Sequence, residues 1–314
     1  MHNSDEQFAI DADIAQLHKQ VFNLDSIKEA QRRGIIVVVD FDDWWHLDSE
    51  HLFYKHYLKH SVPEKLIDLL RTIDYVTVTT ELLAIEVRKY NKNVVVLPNA
   101  MDMNYLGCRI EKKTQELTFG YVGGHCHLKD LQLLRGVNNR LSGDYKFRLM
   151  GYDGSEVYNH YADIMSDSGR AGKHFDWVEK ANIWNYPQFY NHMDVSLVPL
   201  VENKFSSLKS ELKLIEAGFF SKAVVVSNVD PYKRLIKHKV NAMVVDKPRD
   251  WVKHCQYLID NPEAVKDLGA ALHETVKPFS IDEVNKKRLK FYRDVLEKRN
   301  TDSSVRHSRV SVLD

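Results

Sequence analysis

Short runs of β-branched residues alternate along this chain with stretches in which apolar positions recur at three- and four-residue spacing. The run Ile35–Val39 ends in Asp40, and Tyr75–Thr79 and Asn93–Leu97 follow as strand patterns, the last stopped by Pro98-Asn99. Between them Pro63–Thr72 and Glu81–Tyr90 carry the helical period. The second half repeats the alternation. Strands are predicted over Leu117–Val122, Phe147–Met150, Val195–Leu200, Ala223–Ser227 and Asn241–Asp246. Helices are predicted over Leu128–Leu141, Pro187–His192 and Leu208–Gly218, and from Trp251 onward. This order predicts an α/β protein with mainly parallel sheets. Ile281–Arg299 reads as one long helix rich in Lys and Arg, and Asn300–Asp314 as a polar tail that frays.

Met103–Glu116 has no strong period and several polar residues, which marks it as a linker. The expected organisation is a first α/β domain over 1–112, a second over 113–280, and a closing helix with its tail over 281–314. A chain of 314 residues is long enough to bury two cores.

Composition narrows the partners. Apolar residues make up 44% and charged residues 28%, as in ordinary globular proteins, and 44 basic residues balance 44 acidic ones. No global field draws nucleic acid or an anionic membrane, although a local basic groove is compatible with neutrality. Three widely spaced cysteines, Cys108, Cys126 and Cys255, argue for a reducing compartment over a disulfide scaffold. His125-Cys126-His127 has no second ligand pair at zinc spacing, so no metal site is assigned. The amino terminus lacks the apolar core of a signal peptide, and no run reaches the roughly 18–20 apolar residues of a membrane span. A cytoplasmic, soluble protein is the expectation.

The candidate chemistry concentrates between Asn203 and Tyr232. A polar loop runs into a short amphipathic helix and then the strand Ala223–Ser227. Lys209, Ser210, Lys213 and Glu216 gather at the loop–helix junction. Free backbone N–H groups, a hydroxyl and ammonium groups suit a diphosphate, and a carboxylate further along suits ribose hydroxyls. Upstream, the strand Leu117–Val122 enters the turn Gly123-Gly124 and then a helix bearing Lys129. Glycines at such a turn let the backbone approach phosphate closely. A glycine turn or a lysine-bearing helix alone is ordinary; their order along the chain carries the signal.

These segments resemble the donor-binding half of the retaining GT-B glycosyltransferases. That family's pattern runs Glu, seven residues, Glu, then Ala, a small residue and a strand; Ile215-Glu216-Ala217-Gly218 and Ala223–Ser227 match its second half. Eight residues before Glu216 stands Leu208, so the first glutamate, which in the family contacts the donor sugar, is absent. The family's turn carries an arginine and a lysine on the donor pyrophosphate; Lys129 matches the lysine, Gly124 stands at the arginine position, and Lys209 is the substitute cation. The stretch IDYVTVTTELLA…NVVVLPNAMD is similar to the family's approach to its interdomain linker. The resemblance implies two Rossmann-like domains facing across a cleft, a closing helix that crosses back to the first domain, and a nucleoside diphosphate sugar such as a UDP- or GDP-sugar as co-substrate. No further cofactor is expected. Only about 30 residues precede the Ile35 strand, so the first domain is abridged relative to the family, and its acceptor side is built differently or completed by a partner or second copy.

Asp40, Asp42 and Asp43, after the Ile35 strand, are the candidate catalytic carboxylates, because parallel-strand carboxyl ends point into ligand crevices. Three alternatives stand beside that reading: a metal-binding DxD of GT-A type, a phosphatase-type aspartyl nucleophile, and a plain helix cap. Trp44 and Trp45 stack on a sugar or base, or are core. Gly151 and Trp177 are assigned to the nucleotide border; Tyr186-Pro187 and Tyr190 either join them there or pack internally. The expected function is transfer of a hexosyl or pentosyl group to an acceptor hydroxyl without a metal. The acceptor is a glycan or lipid-linked sugar, or alternatively hydroxymethylated DNA, given the basic segments Lys55–Lys59, Lys286–Arg293 and Arg306–Arg309. A non-catalytic nucleotide-sugar binder is the alternative from another class.

Overall fold

The computed structural model describes residues 12–49, 51–105, 108–167 and 174–310, with side chains as far as residue 301. The chain forms two compact units, one of Met1–Pro98 with Asp282–Asp314, the other of Asn99–Ile281.

The first unit holds a four-stranded, wholly parallel sheet in sequential order: β1 (Ile14–His18), β2 (Ile36–Phe41), β3 (Tyr75–Val78) and β4 (Val94–Val96). Helices α1 (Leu24–Arg32), α2 (Tyr54–Lys59), α3 (Val62–Thr72) and α4 (Glu81–Val87) lie between the strands. The sequence pattern gave no sign of β1 or α1. As an edge strand, β1 alternates half-buried and exposed residues and has no continuous apolar run. α1 starts at Asn23, whose side chain accepts from Asp25 N at 2.9 Å. The long helix α12 (Ile281–Val310) lays Phe291 and Val295 on Ile36, Val38 and Leu97, and Arg299 donates to Asp13 at 2.8 Å. It stays helical past Arg299, where the sequence pattern ended it; the side chains of Arg306 and Arg309 lie outside the described residues.

The second unit holds a six-stranded parallel sheet. Its strands are β5 (Thr118–Tyr121), β6 (Lys146–Tyr152), β7 (Phe175–Glu179), β8 (Val195–Val198), β9 (Ala223–Ser227) and β10 (Met243–Val245), in the order β10-β9-β8-β5-β6-β7. Both faces are covered. Along β9, Ala223 and Val225 enter one core while Val224 and Val226 enter the other, which is why the strand reads as an unbroken apolar run. The helices are α5 (Leu128–Leu131), α6 (Glu156–Ser166), α7 (Lys204–Ser207), α8 (Leu212–Phe219), α9 (Asp230–Lys233), α10 (Pro248–Asp260) and α11 (Pro262–Val276).

Two predicted helices are broken. Leu128–Leu141 shortens to α5 and 3-10 turns, because Gly136 takes a φ of +75° and Asp167 caps the N–H groups of Gly136 and Asn139. Leu208–Gly218 becomes helical only from Leu212, as α8, because Leu208 is the buried C-cap of the separate short helix α7. Chain order runs outward from β5 through β6 to β7, then resumes at β8 on the other side. The β5 and β8 carboxyl ends therefore flank a topological switch point, where open parallel sheets form their ligand crevice.

Candidate functional site

Two loops meet at the switch point of the second unit. After β5 comes Gly123-Gly124; after β8 comes the segment through α7 to Lys209, Ser210 and α8. Asp130 ties them together. One carboxylate oxygen accepts from Val201 N at 2.8 Å and the other meets His127 Nδ1 at 2.8 Å. Burial works against the Asp130 carboxylate, but these bonds outweigh it and hold its pKa below the ordinary range.

The glycine turn is fixed from beneath by α6. Tyr158 Oη donates to Gly123 O and Tyr161 Oη to Gly124 O, each at 2.8 Å, and Tyr161 Oη also accepts from His127 N at 2.9 Å. In a trans peptide the N–H points opposite to the C=O, so the N–H groups of Gly124 and His125 are directed away from these tyrosines. A Cβ on Gly123 would run into the Tyr121 hydroxyl, whereas one on Gly124 would meet nothing within 4 Å. Tyr121 is buried, and its hydroxyl has no partner among the described residues.

Against this turn stand two ammonium groups. Lys209, half-buried, lies 5.0 Å from the Phe205 ring centre. Lys213 lies 5.0 Å from that of Tyr121. Neither ammonium has a hydrogen-bonding or ion-pairing acceptor among the described residues. Burial, reinforced by the like charge of Lys209, brings Lys213 down to about 8. Lys213, and then burial, push His127 down to about 4. At neutral pH His127 is therefore uncharged. Because the ionised Asp130 can only accept, the imidazole proton sits on Nδ1 and Nε2 keeps its lone pair. The sequence reading weighed His127 only as a zinc ligand and did not single out Asp130 or Tyr121; the His-x-x-Asp spacing on one helical face was the available signal.

The remaining expected residues are distributed as follows. Ser210 Oγ accepts from Asn99 Nδ2 at 2.8 Å, beside the start of α8. Lys129 is exposed on α5, and the inward positions of that turn are His127 and Asp130. Gly151, with φ +81°, lies in the β6 bulge against Tyr158, the tyrosine that holds Gly123 O. Trp177 is half exposed on edge strand β7, packed on Tyr152 at 5.0 Å with Nε1 donating to Glu179.

Glu216, expected to hold a ribose, is turned toward two tyrosines. It is buried, Tyr190 Oη donates to Oε2 at 2.7 Å, and Tyr186 Oη donates to Oε1. Burial raises its pKa against the pull of both hydroxyls. Tyr186 and Tyr190 accordingly pack internally. Asp176, half-buried on β7, accepts from Arg148 at 2.6 and 2.7 Å.

In the first unit, the strand ends bring a second cluster together. Asp40 Oδ1 accepts from Thr77 Oγ1, and His18 lies 3.9 Å from both Asp40 and Asp42. Lys19 Nζ meets Asp42 Oδ1 at 3.1 Å and donates to the backbone oxygen of Asp43 at 3.1 Å. Burial raises the Asp40 pKa. For Asp42 burial pulls the same way, but Lys19 outweighs it and holds the carboxyl below its ordinary value. Neighbouring carboxyls driven apart in this way take different chemical roles. Trp45 is core, edge-on to Phe41 and Tyr90 at 6.0 and 5.8 Å. No group of three or more His, Cys, Asp or Glu among the described residues is arranged to hold a metal ion.

A two-unit α/β chain with a wholly parallel sheet in each unit and a cationic switch-point crevice is the GT-B glycosyltransferase architecture. Residues 116–261, within the second unit, match the family model of the Glycosyl transferases group 1. The fold is similar to sucrose-phosphate synthase from Thermosynechococcus elongatus (TM-score 0.67, 14% identity, covering 91% of this chain and 74% of that one). It is similar to a glycosyltransferase from Rickettsia africae (TM-score 0.65, 13% identity, 90% and 77%). Anabaena HepE, solved in complex with UDP-glucose, is a third such structure (TM-score 0.67, 12% identity, 90% and 79%). No curated protein matches the sequence.

Proposed function

We propose that this protein transfers a sugar from a nucleoside diphosphate donor to an acceptor hydroxyl. One observation carries the reading: two ammonium groups without acceptors among the described residues, Lys209 and Lys213, face a glycine turn whose N–H groups point away from their tyrosine supports. An unpaired buried cation is costly unless an anion completes it. A diphosphate supplies that anion. The UDP-glucose complex of HepE, a protein of the same fold, supports a uridine nucleotide as the first donor to test.

In this reading the two lysines and the N–H groups of Gly124 and His125 neutralise charge growing on the departing diphosphate, the task a metal performs elsewhere. Lys129 adds a weaker contact from the rim. Glu216 anchors α8, and thereby Lys213, through its two tyrosines. Asp40, with its raised pKa, is the acid–base candidate, and Asp42 with Lys19 fixes the neighbouring loop. The acceptor is a glycan or lipid-linked sugar.

Leu208 at the missing-glutamate position favours a second reading, a nucleotide-sugar binder without turnover. Incubation with UDP- and GDP-sugars and a panel of glycan, lipid-linked and hydroxymethylated-DNA acceptors separates them. Product with any acceptor supports the enzyme. Tight nucleotide binding with neither transfer nor donor hydrolysis supports the binder.

A further inference from the structure

Helix α2, in the first unit, is unusual in burying none of its residues. Its flanking and surface positions are nevertheless apolar: Leu52 is 64% exposed, Phe53 51% and Leu58 58%. Phe53 occupies the N-cap, where no side chain caps the helix, and its ring lies 5.8 Å from that of His51. A hydroxyl or carboxamide there would stabilise the helix, so the position serves something other than helix stability. Lys55 and Lys59 stand among these residues, with His56 and His60 ring to ring at 4.4 Å. From His51 to Pro63 there is no acidic residue. The segment is thus locally cationic in a chain of zero net charge.

Exposed bulky apolar side chains interleaved with lysines match an interface that is apolar beneath and anionic above. Interfacial helices bury their apolar residues at the boundary of headgroups and acyl chains while lysines meet anionic headgroups. Nucleic acid would use the lysines but leaves Leu52, Phe53 and Leu58 without a partner. No helix among the described residues is long and apolar enough to cross a membrane, so contact through α2 would be peripheral. We infer that Leu52–Leu58, with Lys55 and Lys59, docks this protein on an anionic lipid surface. The inference is independent of the donor reading, since it concerns binding and not turnover.

The test is co-sedimentation of the full chain with vesicles of pure phosphatidylcholine and of phosphatidylcholine containing phosphatidylglycerol, at low and raised salt. The expected result is binding to the anionic vesicles alone, weakening as salt rises. Each of Lys55→Ala and Lys59→Ala weakens it roughly fivefold. Leu52→Ser with Phe53→Ser abolishes it, and circular dichroism and UDP affinity stay unchanged because both side chains are exposed and the phosphate-facing lysines belong to the second unit. Equal binding of wild type and Leu52→Ser/Phe53→Ser, or none to anionic vesicles, overturns the inference. So does duplex DNA binding that needs the lysines but survives the serine substitutions, which would make the surface a nucleic-acid site. Lipid-free dimerisation lost in the serine variant, without vesicle binding, would make it a self-association face.

Discussion

The Lys213 ammonium lies over the face of the Tyr121 ring, 5.0 Å from its centre, while the Tyr121 hydroxyl is buried behind Gly123 without a hydrogen-bond partner among the described residues. The ring's negative face partly stabilises the cation, a contribution of about 1–2 kcal/mol when desolvated. That is too little to restore an ordinary lysine pKa, and Lys213 is left titrating at about 8.

Nucleotide affinity therefore depends on pH. Lys213 is charged below about 8 and neutral above it, and only the charged form attracts a diphosphate. UDP affinity measured by calorimetry holds from neutrality to about pH 8 and then falls, approaching tenfold per unit, with proton uptake on binding. Lys213→Met removes this limb. An unchanged affinity across pH 7 to 9.5 in the wild type would exclude Lys213 from the phosphate site.

Lys209 and Lys129 should differ. Lys209→Ala removes a charge-assisted contact and weakens UDP or GDP binding by roughly 1.5–3 kcal/mol. Lys129→Ala, on an exposed turn, costs less than about 1 kcal/mol. The reverse ranking would move the diphosphate toward α5.

Tyr161→Phe takes the hydrogen bonds from Gly124 O and His127 N together. A loss of about 1–3 kcal/mol in urea unfolding is expected. Nucleotide affinity drops as well, because the turn loses its fixed orientation. Stability loss with unaltered affinity would show that the turn's N–H groups do not touch the ligand.

Glu216→Ala strands two buried phenol hydroxyls and should destabilise the protein by roughly 2–4 kcal/mol, read from the urea midpoint. Glu216→Gln keeps an acceptor for one of them and costs less. If the alanine variant keeps full stability but loses nucleotide discrimination, Glu216 contacts the ribose after all.

Transfer should persist in EDTA, because cations of the chain face the leaving diphosphate. Asp40→Asn should reduce turnover while leaving UDP affinity intact. The acidic limb of the turnover profile should lie above the ordinary aspartate range, since burial raises Asp40; activity falls as pH drops and the carboxyl protonates. Chelation that abolishes turnover, with recovery on adding magnesium or manganese, would instead make Asp40 and Asp42 metal ligands.

The sequence by itself determined the strands covered on both faces. Ile36–Val39 and Ala223–Ser227 are β-branched runs because both sides of a parallel sheet are buried, and that pattern is local. It likewise determined the glycine turn after β5 and the lysine cluster before β9, whose chemistry is written in adjacent residues. Edge strand β1 was not legible, since a strand paired on one side tolerates polar residues. Tertiary structure alone decided which way each helix faces. It turned Glu216 toward Tyr186 and Tyr190, residues some 26 to 30 positions away. It brought His127 and Asp130 to Lys213 and Val201 across the junction of β5 and β8, leaving Lys129 at the rim. Strand order in a sheet depends on pairings between residues distant in the chain. A parallel sheet that starts at its centre, as this one does at β5, sets its crevice by a topology that no local run of residues records.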